Sequence, residues 1–114
     1  MTPQLIGTGR SKDTRRIERY LKERRIEFQL VDMSQRGLSV GELEAVAAAV
    51  GGFEELVDTA SRSYRKRGMT HMEYDSREEL LEDPSLLRVP IVRTDRGAAI
   101  NPDNDTLTEL LRLG

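Results

Sequence analysis

The tetrapeptide Gly9-Arg10-Ser11-Lys12 stands where a short apolar strand gives way to an amphipathic helix. It holds a hydroxyl at the head of that helix with a cation on either side. Backbone N–H groups at a helix start have no intrahelical partner, and the helix dipole favours negative charge there, so such a loop attracts anions. A plainer reading of the same residues is preferred: Ser11 caps the helix, which stabilises it by about 1 kcal/mol, and Arg10 and Lys12 are solvated. The chain contains no Cys, which excludes disulfides, thiolate metal ligands and thiol redox chemistry together. A serine nucleophile needs a general base beside it. The one histidine, His71, follows a basic run far along the chain and reads as a surface loop residue.

That basic run, Arg62-Ser63-Tyr64-Arg65-Lys66-Arg67, has the charge and one aromatic of a nucleic-acid patch. At helical spacing, however, Tyr64 turns inward and the cations outward, and the acidic stretch Glu73 to Glu82 follows. A solvated helix face is the favoured reading, and no direct nucleic-acid binding is expected. Glycine loops for nucleotides, zinc-ligand spacings and paired-carboxylate motifs are missing.

The 114 residues suit one domain, in which folding buries roughly two-thirds of the surface of the unfolded chain. Charged residues make up 33% and hydrophobic ones 37%, which is polar but compatible with a core. The net charge of −2 draws the molecule as a whole neither to nucleic acid nor to anionic lipid. No stretch approaches the roughly 20 apolar residues that cross a bilayer, and the N-terminus lacks a signal-peptide apolar region. A cytoplasmic location without membrane association is the expectation.

Leu5 and Ile6, stopped by Gly7 and Gly9, predict a buried strand. Ile17, Tyr20, Leu21 and Arg24 at three-and-four spacing predict a helix with Ser11 or Asp13 as its cap, and Glu18 with Lys22 and Arg19 with Glu23 place opposite charges a turn apart. Ile26, Phe28, Leu30 and Val31 predict a second strand, parallel to the first. Ser39 with Glu42 forms a capping box before Val40, Leu43, Val46, Ala47 and Val50, and Gly51-Gly52 ends that helix. Phe53, Leu56 and Val57 predict a short helix, Ser76 with Glu79 a second capping box, and Asp83-Pro84 a turn. Pro90 introduces a strand through Ile91 and Val92, Asp95-Arg96-Gly97 a hairpin turn, and Ala98 to Ile100 its antiparallel return. A last amphipathic helix runs from Asp105 through Leu107, Leu110, Leu111 and Leu113. This order predicts an α/β, thioredoxin-like fold with a four-stranded mixed sheet. Residues 1–114 form a single domain on this reading, with an α-helical insertion over approximately 38–88 between the βαβ and ββα halves.

Four stretches resemble one family. They are Ile6-Gly7-Thr8-Gly9-Arg10-Ser11-Lys12-Asp13 leading to Tyr20-Leu21-Lys22-Glu23-Arg24; Ile26-Glu27-Phe28 with Val31-Asp32; Leu56-Val57-Asp58-Thr59 with Tyr64-Arg65-Lys66; and Arg88-Val89-Pro90-Ile91-Val92. Their order and spacing resemble the ArsC-type arsenate reductases and their relative Spx. The resemblance implies a reactive cysteine at Ser11 and oxyanion-binding arginines at Ala60, Val89 and Pro102. All of these positions are uncharged here, so arsenate reduction is not expected. It also implies a glutaredoxin-like feature, a cis Val89-Pro90 bond beside the helix start, with Val89 offering its backbone to a ligand as an added strand.

Two functions follow from the resemblance. The first is a redox-inactive binding or regulatory module. Spx gives the precedent, since it acts by binding RNA polymerase through its α-subunit, with a glycine at the head of the inserted helix contributing, and Gly52 falls near that point. The alternative is a glutathione-binding or glutathione-transferase-like enzyme in which the Ser11 hydroxyl holds a ligand thiolate. Gly9, Arg10, Ser11, Lys12, Val89 and Pro90 are the candidate ligand-binding residues for a small thiol or anion. Glutathione is the one small-molecule cofactor that this implies, and no metal is expected.

Overall fold

The structure is a computed structural model that describes residues 1–112. It resolves into two compact units, Met1–Arg36 with the chain from Val89 onward, and Gly37–Arg88.

In the first unit, strand β1 spans Gln4–Gly7 and is buried throughout. Helix α1 covers Lys12–Glu23, and strand β2, Gln29–Asp32, pairs with β1 in parallel, Leu5 opposite Leu30. Ile26 and Phe28 therefore lie ahead of the strand rather than in it. The chain leaves α1 through Arg25, whose φ is 55°, with Ile26 N–H returning to Leu21 O at 3.0 Å. Pairing begins only where Gln29 N–H reaches Pro3 O at 2.8 Å. Strands β3, Ile91–Thr94, and β4, Gly97–Ile100, form an antiparallel hairpin around Asp95-Arg96. Ile91 pairs with Ile6 across the antiparallel β1–β3 ladder, and the sheet runs β2-β1-β3-β4.

Alternation along β1 and β3 sends Leu5 and Val92 to one face of the sheet. There they meet Ile17, Tyr20 and Leu21 of α1 and Leu107 of helix α5, which spans Asn104–Leu111. Ile26, Phe28, Leu110 and Leu111 pack around this core. Each fully buried aliphatic side chain contributes about 1.5–3 kcal/mol. Tyr20 Oη and Thr108 Oγ1 are 3.1 Å apart, so the polar end of the tyrosine is satisfied within the apolar layer. The cap of α5 is Asp103, which accepts Thr106 N–H at 2.8 Å. Leu113, assigned to this helix from its spacing, lies outside the described residues.

The second unit is helical. Helix α2, Val40–Val50, starts with the Ser39–Glu42 capping box and ends at Gly51, φ 102°, followed by Gly52, φ 137°. Both amides turn back to Ala47 O. A residue with a Cβ resists both angles, so the glycine pair works as a helix stop. Phe53–Leu56 is a 3-10 turn. The basic run forms the short helix α3, Arg62–Lys66, with Tyr64 buried and Arg62, Arg65 and Lys66 exposed. Helix α4, Ser76–Glu82, is capped by Asp75 rather than Ser76, because the Asp75 carboxylate accepts Glu78 N–H at 3.0 Å. Arg67 binds Glu79 and Asp83, and Ser63 Oγ donates to Asp83 Oδ2 at 2.6 Å.

Candidate functional site

The loop after β1 is a turn closed by Ser11 N–H on Thr8 O at 3.1 Å. Ser11 has extended backbone angles, and its Oγ accepts Thr14 N–H at 3.1 Å while its carbonyl accepts Arg15 N–H. This is an N-cap. Among the described residues Thr14 N–H is the one bonded partner of Ser11 Oγ. Among the described residues no base is hydrogen-bonded to the hydroxyl, the partner that a serine nucleophile needs. His71 is exposed at the end of a 3-10 turn, Met69–His71, in the second unit.

Gly9, Arg10 and Lys12 are exposed and Ser11 is half-buried. The α1 side chain of Arg15 reaches back to donate to Gly9 O at 2.7 Å, which fixes the loop from the helix side. A Cβ on Gly9 would meet nothing, whereas one on Gly7 would lie 2.4 Å from Thr14 Oγ1. The glycine that matters sterically is thus Gly7, where the first turn of α1 lies directly on the strand.

Val89 is half-buried, Pro90 is buried, and the bond between them is cis. Pro90 O accepts Asn101 N–H at 2.7 Å. The Val89 backbone makes no hydrogen bond among the described residues. Since Ile91 opposes Ile6, Val89-Pro90 enters β3 at the end of the sheet where the Gly9–Lys12 loop leaves β1. The six residues singled out from the sequence therefore share that end of the sheet.

Sequence patterns did not single out the cluster beside the loop. Arg16 Nη2 donates to Asn101 Oδ1 at 3.1 Å and to Pro102 O at 3.0 Å, and Asn101 Nδ2 donates to Asp13 Oδ2 at 3.3 Å. Asn101 holds φ at 43°, which Asn tolerates better than most residues. Arg16 thus brings a guanidinium to Pro102, one of the places where the resemblance implies a lost arginine. The Thr106 backbone and side-chain bonds, joined by the charge of Arg16, hold the Asp103 carboxyl below the usual carboxylate range. The only sequence signal for this cluster was Asp13 three residues before Arg16.

No family profile and no curated protein matches the sequence. Solved structures do match. The YffB protein superposes with a TM-score of 0.84 at 18% identity, over 96% of this chain and 99% of that one. An ArsC family related protein from Bacteroides fragilis gives 0.81 at 17%, over 96% and 98%. The chain has the fold of the arsenate-reductase-related proteins. Arsenate reductase from Vibrio cholerae gives 0.78 at 16%, over 100% of this chain and 98% of that one. The arsenate-reductase fold is present here without a thiol, since the chain has no Cys. Among the described residues no cluster of His, Asp and Glu is arranged to hold a metal. No described helix is long and apolar enough to cross a membrane.

Proposed function

We propose that this chain is a redox-inactive form of the arsenate-reductase fold that acts as a binding or regulatory module, with Gly9, Arg10, Ser11, Lys12, Val89 and Pro90 as its contact residues. The observation that carries this reading is the state of Ser11. It stands at the loop-to-helix junction as a satisfied N-cap with no base bonded to it, in a chain without Cys. A cysteine there is made reactive by lowering its pKa from about 8.5 to between about 3.5 and 7.5, and a serine hydroxyl cannot be ionised by the same means. Binding is what the loop retains: exposed cations, a helix start and an unpaired Val89 backbone. A partner protein is the natural target of such a module, with RNA polymerase suggested by the Spx precedent at Gly52.

The test has two parts. Purified protein should show neither arsenate reduction nor glutathione-dependent disulfide exchange above a no-protein control, and turnover in either assay would remove the proposal. Amide shifts under titration with glutathione, and separately with phosphate or arsenate, should then report whether the loop binds small ligands.

A second reading has its own support. Among the described residues Ser11 Oγ accepts a single bond, which leaves the hydroxyl proton free to donate. A thiolate held there would make the protein glutathione-transferase-like. Saturable glutathione shifts at Ser11 and Val89, together with conjugation of an electrophile, would favour this reading over the first.

A further inference from the structure

The charge of this chain is unevenly placed. The whole molecule is net −2, yet the segment from Arg10 to Arg25 holds eight basic and three acidic residues. Helical periodicity then sorts those charges. Ile17, Tyr20 and Leu21 fix the buried face of α1, and Lys12, Arg15, Arg19 and Lys22, at spacings of three, four and three, fall on the opposite face. All four are exposed. With a rise of 1.5 Å per residue they form a row about 15 Å long, three turns of helix, that Arg10 extends at the loop end.

The acids of the segment cancel this row only in part. Glu18 pairs with Lys22 at 3.6 Å, Asp13 engages Arg16 and Asn101, and Glu23, one turn beyond Arg19, forms no ion pair among the described residues. Among the described residues Arg10, Lys12 and Arg19 have no acidic partner. Arg15 is already held by its bond to Gly9 O, so part of its ordering entropy is spent before a partner arrives. The row also carries no exposed aromatic on which a base would stack, and the net negative remainder of the chain repels a long polyanion. A short acidic helix avoids both problems. Its carboxylates at three-and-four spacing match the row, and its length need not exceed three turns.

We propose that the outer face of α1 is a docking surface for an acidic helical segment of a partner protein. This rests on the binding-module reading and specifies the chemistry of the partner. The probe is a synthetic helical peptide with glutamates at three-and-four spacing along one face, titrated into the intact protein at low and high salt while amide shifts are recorded. Shifts should map to Lys12, Arg15, Arg19 and Lys22 and fade with salt. The double variant Lys12→Glu/Arg19→Glu should weaken the peptide about tenfold, the equivalent of ~1.4 kcal/mol, while its circular dichroism and melting stay near the parent's. Absence of α1 shifts at low salt, or equal binding by the double variant, overturns the proposal. Tighter binding of duplex DNA at the same residues overturns it in favour of a nucleic-acid surface. Failure in any of these ways, with glutathione or phosphate still shifting the Ser11 loop, would leave the binding-module reading standing without this partner.

Discussion

Gly7→Ala tests the contact that seats α1 on the sheet. Gly7 is buried at the end of β1, and its backbone lies outside the left-handed region, so alanine meets no conformational penalty there. The cost is steric. An added Cβ would sit 2.4 Å from Thr14 Oγ1, 2.7 Å from its Cγ2 and 3.1 Å from its Cβ, and Thr14 itself is only 3% exposed. None of these atoms can retreat to solvent, so α1 or β1 must shift, and overpacking of this kind costs about 1–3 kcal/mol. Thr14→Ala removes the two closest atoms and with them a buried hydroxyl that has no hydrogen-bond partner. Relief of that unpaired group offsets the lost methyl, so Thr14→Ala alone should change stability by less than about 1 kcal/mol. In the double variant the two shortest approaches are gone and the 3.1 Å approach of the two Cβ atoms is the tightest left. The pair should therefore be less destabilised than the sum of the singles, by about 1 kcal/mol. Urea denaturation followed by circular dichroism measures all four corners of the cycle. A Gly7→Ala variant within about 0.5 kcal/mol of the parent, or strict additivity with Thr14→Ala, would refute the reasoning.

Ser11→Ala should lower stability by about 1 kcal/mol through loss of the Thr14 N–H cap, with Ser11→Asp restoring it, read by thermal melting. Burial pushes the Asp83 carboxyl up, but bonds from Ser63, Ser85 and Arg67 outweigh it and hold the group below its ordinary value. The stability it contributes is accordingly present above the unfolded carboxylate pKa and is lost as pH falls through the lower folded value. Asp83→Asn should flatten the acid limb of a stability-against-pH curve, and an unchanged limb would count against that role. Asn101→Ala should destabilise by about 1–2 kcal/mol, since it combines a left-handed backbone with loss of the bonds to Arg16 and Asp13; denaturant midpoints will show it.

The periodic apolar positions made the element order legible, because Leu5, Ile17, Tyr20, Leu21, Val92 and Leu107 are buried for the same reason they are spaced as they are. Ends were harder to read. Phe28 is apolar and sits beside a strand, but nothing local says that backbone pairing waits for Gln29. Ser76 and Asp75 are both good caps, and which carboxylate or hydroxyl meets the free amide is decided by backbone angles that the sequence does not spell out. At the candidate site, Ser11 as cap was visible from its type and position. The grip of Arg16 on Asn101 and Pro102 joins residues 85 and 86 positions apart, and no local pattern could announce it. Gly7 and Gly9 looked alike in sequence, and only the neighbour at Thr14 separates them.

Strand β1 is interior in the sheet, and one of its two ladders is to β3, more than eighty residues later in the chain. During synthesis from the N-terminus, β1 can join β2 early, but its other edge stays open until the ribosome has delivered everything through Thr94. The helical unit Gly37–Arg88 is continuous in sequence and emerges in that interval, so it can complete its own contacts first. Early nascent chains thus carry an unsatisfied strand edge, which is a template for pairing between chains. Pairing with β3 closes that edge, so the hairpin both completes the sheet and removes the template.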